Sequence, residues 1–149
     1  PVAYVLTTTS TILTSNSASA LIDYTSAVST DSNVVSGFSN GTFTIASTGT
    51  YKMTGFLAVA ADGVNRTNVK ILFKITDGGS VNTDHESATI ASLSQTSIKL
   101  EITPTFFTFS DGSTRTVEMF IVATSGVGAI VVPNNQGYPY GFIEITKVS

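Results

Sequence analysis

The chain has a single histidine, and it stands between two carboxylates in Asp84-His85-Glu86, with Asp77 a short way upstream. An imidazole flanked by carboxylates is raw material for a general base or a metal ligand. Nucleophilic catalysis, however, sets a base beside an activated Ser or Cys, and hydrolytic zinc sites draw on several His or carboxylate ligands. One His in a polar stretch supplies neither, so a solvated loop tip is the plainer reading. Asp77, Asp84 and Glu86 are close enough in sequence to surround a hard cation with help from loop carbonyls, which makes calcium the candidate cofactor. They lack the Asp-x-Asp-x-Asp-Gly spacing of a dedicated loop, and Asp62-Gly63, Asp77-Gly78 and Asp111-Gly112 also read as hairpin turns. Tyr138 and Tyr140, near Pro133 and Pro139, offer an aromatic sugar platform, with core or interface packing as the alternative. Asn40-Gly41-Thr42 and Asn65-Arg66-Thr67 have the form of glycosylation sequons, which arise readily in a Thr-rich chain. No catalytic residue can be assigned, and the sequence reads as that of a non-enzyme.

The elements that position these residues are short strands. Asn40-Gly41 signals a tight turn, because both residues tolerate positive φ. Phe43 and Ile45 alternate with Thr42 and Thr44; after Ser47-Thr48-Gly49 the alternation restarts at Tyr51 and Met53. Further strands are expected at residues 3–9, 51–60, 69–75, 98–102, 106–109, 117–123, 130–132 and 142–148, with a short strand or loop at 21–28 and a weak strand at 87–93. Within 69–75, Ile71, Phe73 and Ile75 share one face, while Lys70, Leu72 and Lys74 share the other. Residues 80–86 read as an exposed loop. Eight to ten strands between Gly, Asp and Asn turns, with no convincing helical window, argue a β-sandwich or barrel.

Composition agrees. At 149 residues the chain fits one domain, read as an N-terminal strand and Ser/Thr-rich arm over 1–32 and a main sandwich over 33–149. There are no cysteines, so neither a disulfide framework nor a thiolate site contributes. Charged residues make up 11%, well below the roughly 25% of typical domains. Ser and Thr, about three in ten residues, take their place, and β-branched Thr suits half-exposed strands. With a net charge of −3 and scattered Lys and Arg, the basic stripe of a nucleic-acid binder is missing. The longest apolar runs are far too short to span a bilayer, so no membrane partner is expected. Pro1 fits either a mature start after initiator Met removal or the boundary of a domain cut from a longer chain.

Three segments in order, Gly41-Thr42-Phe43 with Gly49-Thr50-Tyr51-Lys52-Met53, Val69 to Gly79, and Tyr140-Gly141-Phe142-Ile143-Glu144-Ile145, together resemble the C1q/TNF-like jelly rolls. The resemblance implies an all-β antiparallel jelly-roll sandwich of about ten strands. It also implies a homotrimer, with first and last strands side by side at the threefold axis. Tyr4, Tyr51, Tyr140, Phe142 and Ile145 are the residues expected in that interface or in the core, and calcium near the axis occurs in some members. The chain departs from the family in lacking a Gly-x-y collagen tract and in placing Glu144 within the usually apolar ending. That ending and the Ser/Thr-rich, Lys-poor composition are similar to viral and bacterial surface members. The expectation is a structural virion protein that decorates the outer surface of a phage capsid, partnered by a capsid shell protein and extracellular after release. The alternative is the receptor- or glycan-binding head of a viral fibre or of a bacterial or spore surface filament.

Overall fold

A computed structural model describes residues 1–7, 11–14, 18–125, 128–132 and 140–149. These residues form fourteen strands and no helix. Four of the strands, β2 (Thr11–Leu13), β3 (Ser19–Leu21), β9 (Ser80–Asn82) and β13 (Ala129–Val131), are three residues long. The other ten are β1 (Val2–Leu6), β4 (Ser26–Ser29), β5 (Val35–Ser39), β6 (Thr42–Ile45), β7 (Gly49–Asp62), β8 (Arg66–Asp77), β10 (Ile90–Leu93), β11 (Ile98–Phe109), β12 (Arg115–Ser125) and β14 (Gly141–Lys147).

Every pairing is antiparallel. The first sheet runs β2-β13-β7-β14-β1-β4, with β11 on the other edge of β7. The second runs β10-β8-β12-β6-β5, with β3 also on β12 and β9 on β8. The first and last long strands are neighbours, Val2 opposite Ile145 and Leu6 opposite Gly141, as the sequence resemblance implies. N-terminal residues enter both sheets, β1 and β4 in the first and β3 in the second.

Period-two alternation explains the core. Along β7, Tyr51, Met53 and Leu57 point between the sheets and are fully buried, as are Ile71, Phe73 and Ile75 on β8 and Val117, Met119 and Ile121 on β12. Each such side chain contributes about 1.5–3 kcal/mol on burial. Gly55 holds an inward position on β7 where a side chain would crowd its neighbours: a Cβ there would stand 3.0 Å from the Phe142 carbonyl oxygen and 3.2 Å from the Met119 sulfur. The Asn40-Gly41 turn joining β5 to β6 has φ of 48° and 81°, the paired positive values of a type I′ hairpin. A Cβ on Gly41 would also meet the Ile22 carbonyl oxygen at 2.6 Å.

Two expectations change. The segments 98–102 and 106–109 are one strand, because the register slips between Ile102 and Thr105 and absorbs Pro104. A strand bonded on one side only tolerates the missing N–H. Residues 80–86 are not a free loop. Strand β9 pairs with the end of β8, Glu86 bridges Leu72, and the Phe73 N–H donates to the His85 carbonyl at 2.9 Å.

Candidate functional site

The three carboxylates proposed from sequence for a cation do not converge. Asp77, at the end of β8, closes the β11–β12 turn. Its carboxylate accepts the Ser110 N–H (3.0 Å), the Ser110 hydroxyl (3.0 Å) and the Asp111 N–H (2.8 Å). Desolvation works against the charged form, but these hydrogen bonds outweigh it and hold the Asp77 carboxyl below the ordinary carboxylate range. Asp84 accepts from the Asn82 amide at 3.3 Å, and Glu86 pairs with Lys70 at 2.6 Å. Among the described residues, no three His, Cys, Asp or Glu side chains are placed to hold a metal ion. The carboxylates read from sequence as calcium ligands are thus engaged separately, Asp77 by a turn, Asp84 by the Asn82 amide and Glu86 by Lys70. His85 turns toward β11, where its Nδ1 shares a 2.7 Å hydrogen bond with the Thr105 hydroxyl and its ring meets Phe107 edge-on. The contact ties the segment after β9 to β11.

Of the residues expected in an interface or core, some lie in the core. Tyr51 and Ile145 are wholly buried between the sheets, and the Tyr51 hydroxyl donates to the Ser47 carbonyl at 3.0 Å. Tyr140 is half-buried against the core, its N–H donating to Leu6 and its carbonyl accepting from Ala58. Tyr138 lies outside the described residues. Tyr4 packs beside Phe38 and Phe43, with ring centroids 4.6 and 5.1 Å away. Phe142 is different: it is half-buried on the outward face of the first sheet.

That outward face carries a row the sequence did not reveal. Val5 on β1 is opposite Phe142 on β14, which is opposite Phe56 on β7, which is opposite Glu101 on β11. The two phenylalanine rings stack, with centroids 5.7 Å apart and planes inclined by 23°. The Lys99 ammonium sits 4.4 Å from the Phe56 ring centroid, a cation–π contact. Phe106, 56% exposed, faces the same way opposite Lys52. Glu144 shares the face between Ala3 and Thr54. From behind, the Tyr24 hydroxyl reaches the Phe142 carbonyl (3.4 Å) and the Met119 sulfur (3.3 Å). Burial raises its pKa well above that of an ordinary tyrosine, which keeps it a donor. Two stacked aromatic rings thus lie beside Lys99, Glu101 and Glu144 on this face.

Sequence reading also missed Arg66. It is almost fully buried at the start of β8 and donates from Nη1 to the Gly128 carbonyl at 2.6 Å. It anchors β8 to the segment before β13. A sequence gives little sign that a particular Arg is buried, since long charged side chains usually keep their heads in water.

Comparison with known proteins places the architecture. No protein-family model matches the sequence, and no curated protein matches it. Among solved structures the chain is similar to murine APRIL at pH 5.0, with TM-score 0.60, 12% identity and 96% of each chain covered. It is likewise similar to murine APRIL at pH 8.0, with TM-score 0.59, 11% identity and the same coverage. At such identity the likeness is one of fold, and the fold is a C1q/TNF-like antiparallel jelly roll.

Proposed function

We propose that the protein is a homotrimeric, non-catalytic jelly-roll module that works by attachment, and that it decorates the outer surface of a virus capsid. The observation that supports the trimer is the stacked pair Phe142–Phe56 on the outward face of a sheet that also exposes Phe106. Aromatic residues at the surface are enriched at association sites. The neighbouring first and last strands, which the resemblance puts at a threefold axis, sit on the same sheet. Attachment is supported by the scarcity of charged residues and of clustered basic ones. A shell protein in contact with the genome would carry a basic segment. Three protomers gripping several capsid subunits at once would gain affinity through avidity. Enzymatic work has no support from the described side chains, where the one His meets a threonine hydroxyl.

Native mass spectrometry tests the assembly, with a species of three times the 15.5 kDa chain mass expected. Immunogold labelling of particles tests the location: even labelling over the shell fits decoration, and labelling at a vertex or tail tip would overturn it. That second pattern would favour a recognition head on a fibre or filament, a reading supported by the open groove beside Tyr4 and Phe38.

A further inference from the structure

The seam between β4, the edge of the first sheet, and β5, the edge of the second, opens into a groove of about 650 Å³. That volume lies within the range of roughly 300–1,000 Å³ usual for small-molecule sites. Tyr4 and Phe38, in ring contact, form its aromatic part, and Thr30, Asp31, Ser32 and Ser36 its polar rim. Asp31 is held in place: one carboxylate oxygen accepts the Asn33 N–H at 2.9 Å, and its carbonyl accepts the N–H groups of Val34 and Val35. The second carboxylate oxygen, the Tyr4 hydroxyl and the Thr30 and Ser32 hydroxyls have no protein partner among the described residues.

The chemistry of that lining selects a ligand class. An apolar ligand would strip water from a carboxylate and several hydroxyls without replacing their hydrogen bonds, which is costly. An anion would meet the Asp31 carboxylate, which lines the groove together with Pro1, and like charge disfavours its approach to that end. A neutral polyol satisfies both halves, since its hydroxyls can donate to a carboxylate and exchange hydrogen bonds with Ser, Thr and Tyr, while its C–H face lies on aromatic surface. We propose that this groove binds a neutral saccharide unit. It lies within one protomer, at the side of the first sheet away from β11, so the inference does not rest on the trimer.

The test is a titration of the isotope-labelled chain with glucose, galactose and N-acetylglucosamine, with N-acetylneuraminic acid as an anionic control. The expected result is a shift of the Thr30, Asp31, Ser32 and Phe38 amides with at least one neutral sugar, at a Kd of about 1 mM. Tyr4→Phe keeps the ring packing and removes the hydroxyl. Asp31→Asn keeps the oxygen that accepts from Asn33 and removes the charge. Each should weaken binding about five- to tenfold, the worth of one hydrogen bond. Three outcomes would overturn the proposal: no shift of these amides by any neutral sugar, equal binding of N-acetylneuraminic acid, or wild-type affinity in both variants. Failure here with an intact trimer by mass would leave the assembly reading standing.

Discussion

The two outward faces of the sandwich use the same alternation to opposite ends. On the first sheet, the outward side of β14 and β7 carries the half-buried, stacked Phe142 and Phe56 beside a buried Val5 on β1. On the second sheet, β12 and β8 place Thr116 opposite Thr76, which faces Val81, and Glu118 opposite Lys74. Glu118 accepts the Thr42 hydroxyl at 2.8 Å and approaches Lys74 at 4.0 Å. Its apolar row, Leu21–Phe120–Leu72, is flanked by Lys70 and Lys74 and by the Lys70–Glu86 pair. One face stacks two aromatic rings; the other intersperses its apolar row with ion pairs and hydroxyls. The difference lies in which residues occupy the outward positions, since the strand geometry is shared.

Substitutions on the two faces should therefore separate association from protomer stability. The largest effect is expected for Phe142→Asp, which puts a charge at the centre of the association face. Sedimentation velocity should show the trimer dissociation constant rising at least about 30-fold, as for a hot-spot residue, while circular dichroism stays that of the wild type. Phe120→Asp, at a similarly half-buried position on the other sheet, should lower stability yet leave the sedimenting mass unchanged.

A smaller effect is expected at the end of the second sheet. Asp77→Asn exchanges a charged acceptor of three hydrogen bonds for a neutral one, and denaturant titration should show a loss of about 1–2 kcal/mol at neutral pH. The folded pKa of Asp77 is lowered, so its contribution is present above the ordinary carboxylate range and fades as pH falls through the folded value. The stability gap between wild type and Asp77→Asn should accordingly close in acid, with no change of association state. The smallest effect is expected from Lys99→Met, which removes an exposed cation–π contact of about 0.5–1 kcal/mol and should weaken the trimer only a few-fold.

Much of the frame was readable because burial imposes a period of two. Tyr51 and Met53, and Ile71, Phe73 and Ile75, announce their inward faces in the sequence, and the structure buries all five. Short polar strands were harder. Ser80–Asn82 has no alternating apolar pattern and forms a strand because the end of β8 leaves an edge to pair with. Pro104 suggested a break, whereas an edge strand with a register slip carries through it. The donors around Asp77 were not legible, because adjacency in sequence says nothing of distant partners: Ser110 and Asp111 approach it from a turn over thirty residues away. The aromatic row stayed hidden for the same reason. Phe56 and Phe142 meet through the pairing of β7 with β14, and their neighbours in sequence give no hint of it.

The central claim is that Phe56 and Phe142 build the face on which three copies close, and the mass of the wild-type chain against that of Phe142→Asp at micromolar concentration tests it most directly. The account predicts a trimer for the first and a folded monomer for the second. A wild-type monomer, or a trimer that survives Phe142→Asp unchanged, would contradict it.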